Sequence, residues 1–379
     1  MPSATIAYMT GTGNTWRAAA AISEELSAKG WTVNMVELRK GAESPKGDFA
    51  GDLFVLSFPV LAFGIPAMVR TVLRGLRGRG SDAVVFATWG GAATASLWQA
   101  AGFLRRKGFR VVATGGAAYP FNWTQMLAPS DAASSRSMTR EGDAEARRFA
   151  NAVSGSTARA GEARRFADAV HGAVAGGHGE KASVRRTRAA SIIGGVPVAW
   201  LYSTIGRFGL AALFAADERC TACGACAREC PARAIVMAGK GESRRPQWRT
   251  RCQGCNRCIN MCPGAAIQSS PVRASVHLTV NVVLIVLSVI GLNRLSALAG
   301  LPPYLSIPAW IVAFVLLVVY LSRLQFTALE PLLFALEGMP GLRKRIGRSW
   351  TAGFGRNSAE GFTGRAGKQA GKKISGRRR

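Results

Sequence analysis

Eight cysteines fall into two copies of one spacing, Cys220-x2-Cys223-x2-Cys226-x3-Cys230-Pro231 and Cys252-x2-Cys255-x2-Cys258-x3-Cys262-Pro263, with none left over. Three thiolates in one seven-residue run and a fourth ahead of a proline form the ligand pattern of a bacterial [4Fe-4S] site, whose fourth cysteine serves the neighbouring cluster. The spacing predicts two [4Fe-4S] clusters, one on Cys220, Cys223, Cys226 and Cys262 and its mate on Cys252, Cys255, Cys258 and Cys230. Zinc sites pair two short hooks across a longer gap, which is not this pattern. A disulfide scaffold needs an exported chain, and a first strand expected from Ala4 leaves no room for a signal peptide. Ala234-Ile235-Val236 and Ala265-Ala266-Ile267 follow the two Cys-Pro steps, as two pseudo-symmetric halves would require. So short a module has little core, and the clusters are expected to hold it together.

A second candidate for chemistry lies at the front of the chain. Thr10-Gly11-Thr12-Gly13-Asn14-Thr15 joins an apolar stretch, 4–9, to a helix-forming stretch, 16–29. Glycines at 11 and 13 let successive amides turn inward at a helix start, and the hydroxyls of Thr10, Thr12 and Thr15 add donors, which makes a cradle for a phosphate monoester. There is no Gly-Lys-Ser/Thr of a P-loop and no third glycine at dinucleotide spacing, so a mononucleotide is the expected ligand.

Here the chain resembles the flavodoxin family, whose FMN phosphate loop reads Ser/Thr-x-Thr-Gly-Asn-Thr, matched by Thr10, Thr12, Gly13, Asn14 and Thr15. Further strands are expected at 32–38, 52–57, 82–88 and 109–114, with helices around 66–76 and 92–107. They suit an α/β doubly wound parallel sheet of order 2-1-3-4-5. Ligands of such sheets sit at the carboxyl ends of strands. This selects the loop 57–66, with Pro59, Phe63 and Gly64, and the loop 88–92, with Thr88, Trp89, Gly90 and Gly91. Phe63 and Trp89 are the candidate aromatics against the flavin ring, while Gly90 and Gly91 would let amides approach its polar edge. The order of the two motif sets is similar to that of prokaryotic flavodoxin-ferredoxin fusion proteins, over roughly 1–125 and 217–270. Leu61 stands where those relatives often have tyrosine. The resemblance implies electron transfer among flavin, clusters and an outside partner.

The expected organisation is a flavodoxin-like FMN domain at 1–155, a basic Ala/Gly/Arg-rich linker at 156–190 and an apolar interfacial or packing helix at 191–216. A small α+β two-cluster ferredoxin domain at 217–271, a transmembrane helical hairpin at 276–324 and a basic cytoplasmic tail at 338–379 follow. Glu145-Ala146-Arg147-Arg148-Phe149-Ala150-Asn151-Ala152-Val153 recurs, with one change, from Glu162 to Val170. Its Phe, Ala and Val make an apolar helical stripe, so one copy is expected as the last helix of the first domain.

Leu278 to Leu292 and Ile307 to Leu321 are apolar runs free of charge, extendable to the ~20 residues a bilayer requires. Beyond Gly338, twelve Lys or Arg face one acid, Glu360. Such asymmetry predicts the cytoplasmic side of the inner membrane for the flavin domain, the cluster domain and the tail. The formal net charge of +28 suits anionic lipid or an acidic ferredoxin, flavodoxin or other redox protein. With no recognition motif, nucleic acid is not expected as a partner. His171, His178 and His277 show neither zinc nor haem spacing, and no catalytic residue is assigned. The function expected is a membrane-anchored relay between FMN and two clusters. The alternatives are a redox-responsive membrane scaffold or regulator, or a quinone-reducing oxidoreductase.

Overall fold

The computed structural model describes residues 1–93, 95–156, 195–299 and 303–362. The second copy of the Glu-Ala-Arg-Arg-Phe repeat, nearly all of the basic linker and the end of the tail lie outside the described residues.

Five parallel strands, β1 (Ser3–Tyr8), β2 (Thr32–Glu37), β3 (Leu53–Pro59), β4 (Asp82–Trp89) and β5 (Arg110–Ala118), form one sheet in the order β2-β1-β3-β4-β5. β3 and β4 are buried almost throughout, as strands covered on both faces must be. α1 (Asn14–Ala28) and α4 (Ala132–Ser156) cover one face, where Ala18, Ile22 and Leu26 pack with Ala146, Phe149 and Val153. These last three belong to the first copy of the repeat, whose apolar stripe thus docks on the sheet. α2 (Ala67–Val72) and α3 (Ser96–Arg106) cover the other face.

β5 runs four residues past the expected end at Thr114. Gly115 and Gly116 read as strand breakers in sequence, but packing requires their smallness. A Cβ on Gly115 would meet the Phe149 ring at 2.7 Å, and one on Gly116 would meet Ala87 O at 2.1 Å.

The cysteine-bearing module is built from β6 (Phe214–Ala216) paired with β9 (Ile267–Ser269), β7 (Ile235–Ala238) paired with β8 (Arg245–Trp248), and the one-turn helices α6 (Ala225–Glu229) and α7 (Arg257–Asn260). It does not hang from the sheet domain on a tether. Phe214, Ile235, Trp248, Cys252, Cys258 and Ile259 join the same apolar cluster as Met9, Phe58, Met68 and Trp89. One core therefore crosses both units.

α5 (Gly195–Leu213) leads into the module, and α8 (Pro271–Ala299) and α9 (Pro303–Leu336) leave it as an antiparallel hairpin. By length and composition α5, α8 and most of α9 are each apolar enough to cross a membrane, which makes three candidate helices where two were expected after the clusters. α5 is also tied to the globular part: Tyr202 Oη donates to Gln253 O at 2.8 Å, and Arg323 Nε of α9 donates to Thr204 O at 3.1 Å. His277 is buried at the hairpin base, with Gln325 at 3.1 Å and Glu330 at 3.5 Å. Beside it Arg273 pairs with Glu330 and Glu337. A buried guanidinium without those carboxylates is costly, so this network fixes the angle at which the hairpin leaves.

The basic tail is not wholly a free solvated segment. After α10 (Pro340–Gly347) the chain turns back over the module, where Thr351 Oγ1 donates to Gln268 Oε1 at 2.8 Å. It then reaches the sheet domain, with Ala359 N donating to Thr12 O at 2.7 Å.

Candidate functional site

Each cysteine run wraps its quartet by the same backbone device. Ala222 and Gly254, Gly224 and Asn256, and Arg233 and Ala265 all adopt positive φ, and each pair is separated by the same interval that separates Cys220 from Cys252. These left-handed residues curl the loop so that thiols and amides face inward. Ala234 N donates to Cys230 Sγ at 3.2 Å, and its counterpart Ala266 N donates to Cys262 Sγ at 3.3 Å. Such bonds favour the thiolate over the thiol.

Cys220, Cys223, Cys226 and Cys262 line one cavity. Cys230 sits among Cys252, Cys255 and Cys258: burial pushes the thiols of Cys252 and Cys255 up to about 12 and about 11, and the charge of Cys230 adds to both shifts. For Cys226 burial again dominates, and the thiols that add to it are Cys262, Cys220 and Cys223. The neighbours thus sort into the crossed quartets of the spacing. Among the described residues no three His, Cys, Asp or Glu close around a single metal ion. A four-iron cube is larger than an ion, and the quartets surround a space rather than a point.

The loop Thr10–Thr15 lies at the carboxyl end of β1, with Gly13 at φ 104° as the N-cap of α1. Thr10, Thr12 and Thr15 are buried. Thr10 Oγ1 accepts from Gly13 N at 3.1 Å, Thr12 Oγ1 accepts from Asn122 Nδ2 at 2.6 Å, and Thr15 Oγ1 shares a proton with Thr88 Oγ1 at 2.7 Å. Each bond leaves a hydroxyl proton available to an anion. The amides of Gly11, Thr12, Asn14 and Thr15 have no acceptor among the described residues. Buried amides are ordinarily paired, so this set of inward donors fits a phosphate.

The cavity over this loop is also lined by Pro59, Val60 and Leu61, by Thr88, Trp89 and Gly90, and by Tyr119, Pro120 and Asn122. Phe63, a candidate from sequence, does not line this cavity: Ala62 and Phe63 turn at positive φ, Leu61 bridges to Gly64, and the Phe63 ring is exposed. Gly64 and Gly91 do not line it either. Gly13 faces the tail, because a Cβ there would meet Phe362 and Ala359 at 2.7 and 2.8 Å. The segment 119–122 was missed in sequence, although Tyr-Pro-Phe-Asn directly after the last strand is the aromatic, turn-forming composition of a loop at the ligand edge.

The remaining wall is Cys255. A Cβ on Gly11 would meet Cys255 O at 2.4 Å, so the Thr10–Thr15 loop rests on the backbone of Cys255 and only glycine permits the contact. The module as a whole caps the carboxyl edge of the sheet. Arg257, fully buried, reaches Glu37 at 2.6 Å and Glu229 at 2.9 Å. Burial pulls its guanidinium down, and the charges of Glu37 and Glu229 more than restore it. Arg39 Nη2 donates to Arg228 O at 2.9 Å, Met68 N to Gln253 Oε1 at 3.0 Å, and Asn260 Nδ2 to Thr124 Oγ1 at 2.8 Å. Phe362 closes the seam between Trp16, at 5.6 Å, and the Arg257 guanidinium, at 4.9 Å. The enclosed space is only about 40 Å³. That holds a few waters, far below the ~300 Å³ and more of small-molecule sites. The donors fit a phosphate, and a ring system enters only if the Leu61 and Trp89 loops part from the module.

Residues 219–274 match the family of the 4Fe-4S dicluster domain. No curated protein matches the chain. Among solved structures, a short-chain flavodoxin associated with a bacterial microcompartment is 16% identical, covering 40% of this chain and 95% of its own, with a TM-score of 0.29. A flavodoxin from the domain Archaea is 15% identical over 38% of this chain and 97% of its own, with a TM-score of 0.26. Flavodoxin 2 from Bacillus cereus is 20% identical over 39% and 94%, with a TM-score of 0.28. With its two cysteine quartets, the segment 219–274 is a [4Fe-4S] dicluster module joined to a parallel α/β sheet domain.

Proposed function

We propose that this protein is a membrane-anchored electron-transfer flavo-iron-sulfur protein, with FMN at the Thr10–Thr15 loop and the two clusters as a relay to a redox partner. The observation that carries the proposal is the shared wall: Gly11 of the phosphate loop and Cys255 of one quartet line the same cavity in van der Waals contact. Bound FMN supplies a carrier of one or two electrons, and each cluster a carrier of one.

The chain's own residues perform the positioning. The amides of Gly11, Thr12, Asn14 and Thr15, with the threonine hydroxyls, are the holders of the phosphate, and Pro59, Thr88, Trp89 and Gly90 are the contacts beyond it. Cys230, Cys252, Cys255 and Cys258 form the quartet next to that loop. Cys220, Cys223, Cys226 and Cys262 form the outer one, where Cys223 is exposed. Arg257, Glu37 and Glu229 keep the module seated and water out of the seam. The tail 349–362 straps the module to the phosphate loop, so the distance between the two sites is set by packing rather than by the linker 157–194.

The hairpin of α8 and α9 is the anchor. Leu278, Val282, Val286 and Ile290 on one helix, and Ile311, Val312, Leu316 and Tyr320 on the other, are exposed large apolar side chains that only a bilayer covers. α5 belongs with the globular part, since it is bonded to the module at Gln253 and to α9 at Arg323. The lysines and arginines after Gly338 favour a cytoplasmic face for all of these parts.

Anaerobic purification with iron, sulfide and flavin quantification, followed by reduction kinetics, tests this function. Eight irons and one FMN per chain, with cluster bleaching that requires the flavin, are expected. Full cluster reduction at the same rate in flavin-free protein would remove the relay.

A further inference from the structure

Leu61 lines a second cavity as well, of about 550 Å³, between the sheet domain, α5 and α9. Four helices each send one guanidinium to it: Arg70 from α2, Arg106 from α3, Arg207 from α5 and Arg323 from α9. Among the described residues no aspartate or glutamate lines it. The hydrogen bonds these arginines do make go to neutral acceptors: Arg70 to Gln99 Oε1 at 3.1 Å, Arg207 to Ser203 O at 2.8 Å and Arg323 to Thr204 O at 3.1 Å. Arg207 and Arg323 crowd the same Phe208 ring, at 4.4 and 5.6 Å. Burial, and then the neighbouring Arg106, hold the Arg70 guanidinium below its ordinary value.

Other arginines of this chain are met by carboxylates, as at Arg17 with Asp143, Arg257 with Glu37, and Arg273 with Glu330, whereas at this cavity half-buried Arg207 and the more exposed Arg70, Arg106 and Arg323 are not. Arg70 with Arg106, and Arg207 with Arg323, are like-charged neighbours on one cavity, and an anion bound there relieves the repulsion within each pair. Guanidinium is the group suited to a phosphate, which it meets with paired N–H donors. The rim is apolar and aromatic. Trp98 and Trp200 line the cavity and are about half exposed, and Val198 and Leu201 of α5 and Leu324 of α9 are exposed large apolar side chains on the same two helices. A soluble anion has no use for that rim, whereas an amphiphile has. Tryptophans beside basic side chains at the end of an apolar helix are characteristic of the headgroup level of a bilayer.

We propose that this cavity binds the phosphate headgroup of an anionic phospholipid, whose acyl chains lie along the exposed apolar side chains of α5 and α9. The proposal rests on the membrane reading above. The bound headgroup neutralises arginines from the sheet domain and the hairpin together, which seats the flavin-side wall at Leu61 against the bilayer.

The full-length protein with its clusters is reconstituted in nanodiscs of mixed phosphatidylglycerol and phosphatidylcholine, and the lipids retained on release are counted by native mass spectrometry. Phosphatidylglycerol is expected to be retained preferentially. Arg70→Gln with Arg106→Gln, outside the candidate spans, is expected to lower that preference about thirtyfold. Arg70→Lys with Arg106→Lys retains much of it, and Lys344→Gln with Arg345→Gln on α10 leaves it unchanged. Cluster absorbance verifies that each variant is folded. Unchanged preference in the Arg70/Arg106 glutamine variant, or an equal loss in the α10 variant, overturns the site. Inorganic pyrophosphate that displaces the retained lipid at equal concentration overturns the lipid source in favour of a soluble anion. Failure to enter nanodiscs at all sinks the membrane reading and the proposal together, whereas entry without lipid preference sinks the proposal alone.

Discussion

The two cysteine quartets share one spacing and one set of left-handed turns, yet their surroundings have little in common. Cys252 and Cys258 are buried in the core that runs on into the sheet domain, and Cys255 is a wall of the phosphate-loop cavity. Cys223 of the other quartet is exposed, its carbonyl accepts from Arg228 Nη1 at 2.7 Å, and the charge of Arg356 lies near Cys262. Identical runs are thus packed differently: one quartet is set against the Thr10–Thr15 loop, and the other lies nearer the surface. Burial also raises the strength of local electrostatics, so the fold acts more strongly on the inner quartet than on the outer one.

The largest expected effect comes from removing the ion pairs that seat the inner quartet. Arg257→Met removes the closer of the two buried cations on Glu37 and Glu229, leaving Arg39 at 3.3 and 4.0 Å, and about 2–4 kcal/mol of stability is expected to be lost, read by chemical denaturation of the cluster-loaded protein. An Arg228→Gln variant at the outer quartet, by contrast, should leave the denaturation midpoint where it was. Gly11→Ala should come next. Its Cβ falls 2.4 Å from Cys255 O, so the loop and module must separate, with a cost of about 1–3 kcal/mol and slower reduction of the clusters through the flavin. The analogous Gly264→Ala near the outer quartet meets Arg219 O at a looser 3.1 Å, and a smaller cost is expected.

Smaller again is the loss of one hydroxyl donor. Thr12→Val should weaken FMN binding about tenfold, measured by flavin fluorescence on titration of the flavin-free protein, with iron content unchanged. The smallest effect belongs to the outer surface. Arg228→Gln should leave flavin-side reduction intact and lower only the salt dependence of electron transfer to an acidic acceptor, a rate effect of exposed charge.

The dicluster segment and the Thr10–Thr15 loop stand out in sequence because their chemistry is local: a thiolate run and an anion-binding loop each need neighbouring residues of fixed type. The parallel sheet was legible for a related reason, since β3 and β4 are continuous apolar runs between loops. The seating of one unit on the other was not. It depends on Glu37, Arg39, Met68, Arg257 and Asn260, which are scattered along the chain without period, and on a glycine whose role appears only when Cys255 lies against it. The docking of the tail was not legible either: Thr351, Arg356 and Asn357 bond mostly to carbonyls and amide side chains, contacts that leave no apolar signature. Phe63 was an aromatic in a plausible loop, and the turn at Ala62 sends it outward. At the hairpin base the charges of Arg273, Glu330 and Glu337 lie far apart in sequence and meet only because α8 and α9 are antiparallel.

The order of the relay is tested most directly by anaerobic stopped-flow reduction from the flavin side in two variants, Cys220→Ser and Cys255→Ser, each loaded with FMN and its one remaining cluster. With the outer quartet disabled, the remaining inner cluster is predicted to reduce at the native rate. With the inner quartet disabled, the remaining outer cluster is predicted to reduce far more slowly. Equal rates in the two variants, or faster reduction of the outer cluster, would contradict the inner position assigned to Cys230, Cys252, Cys255 and Cys258.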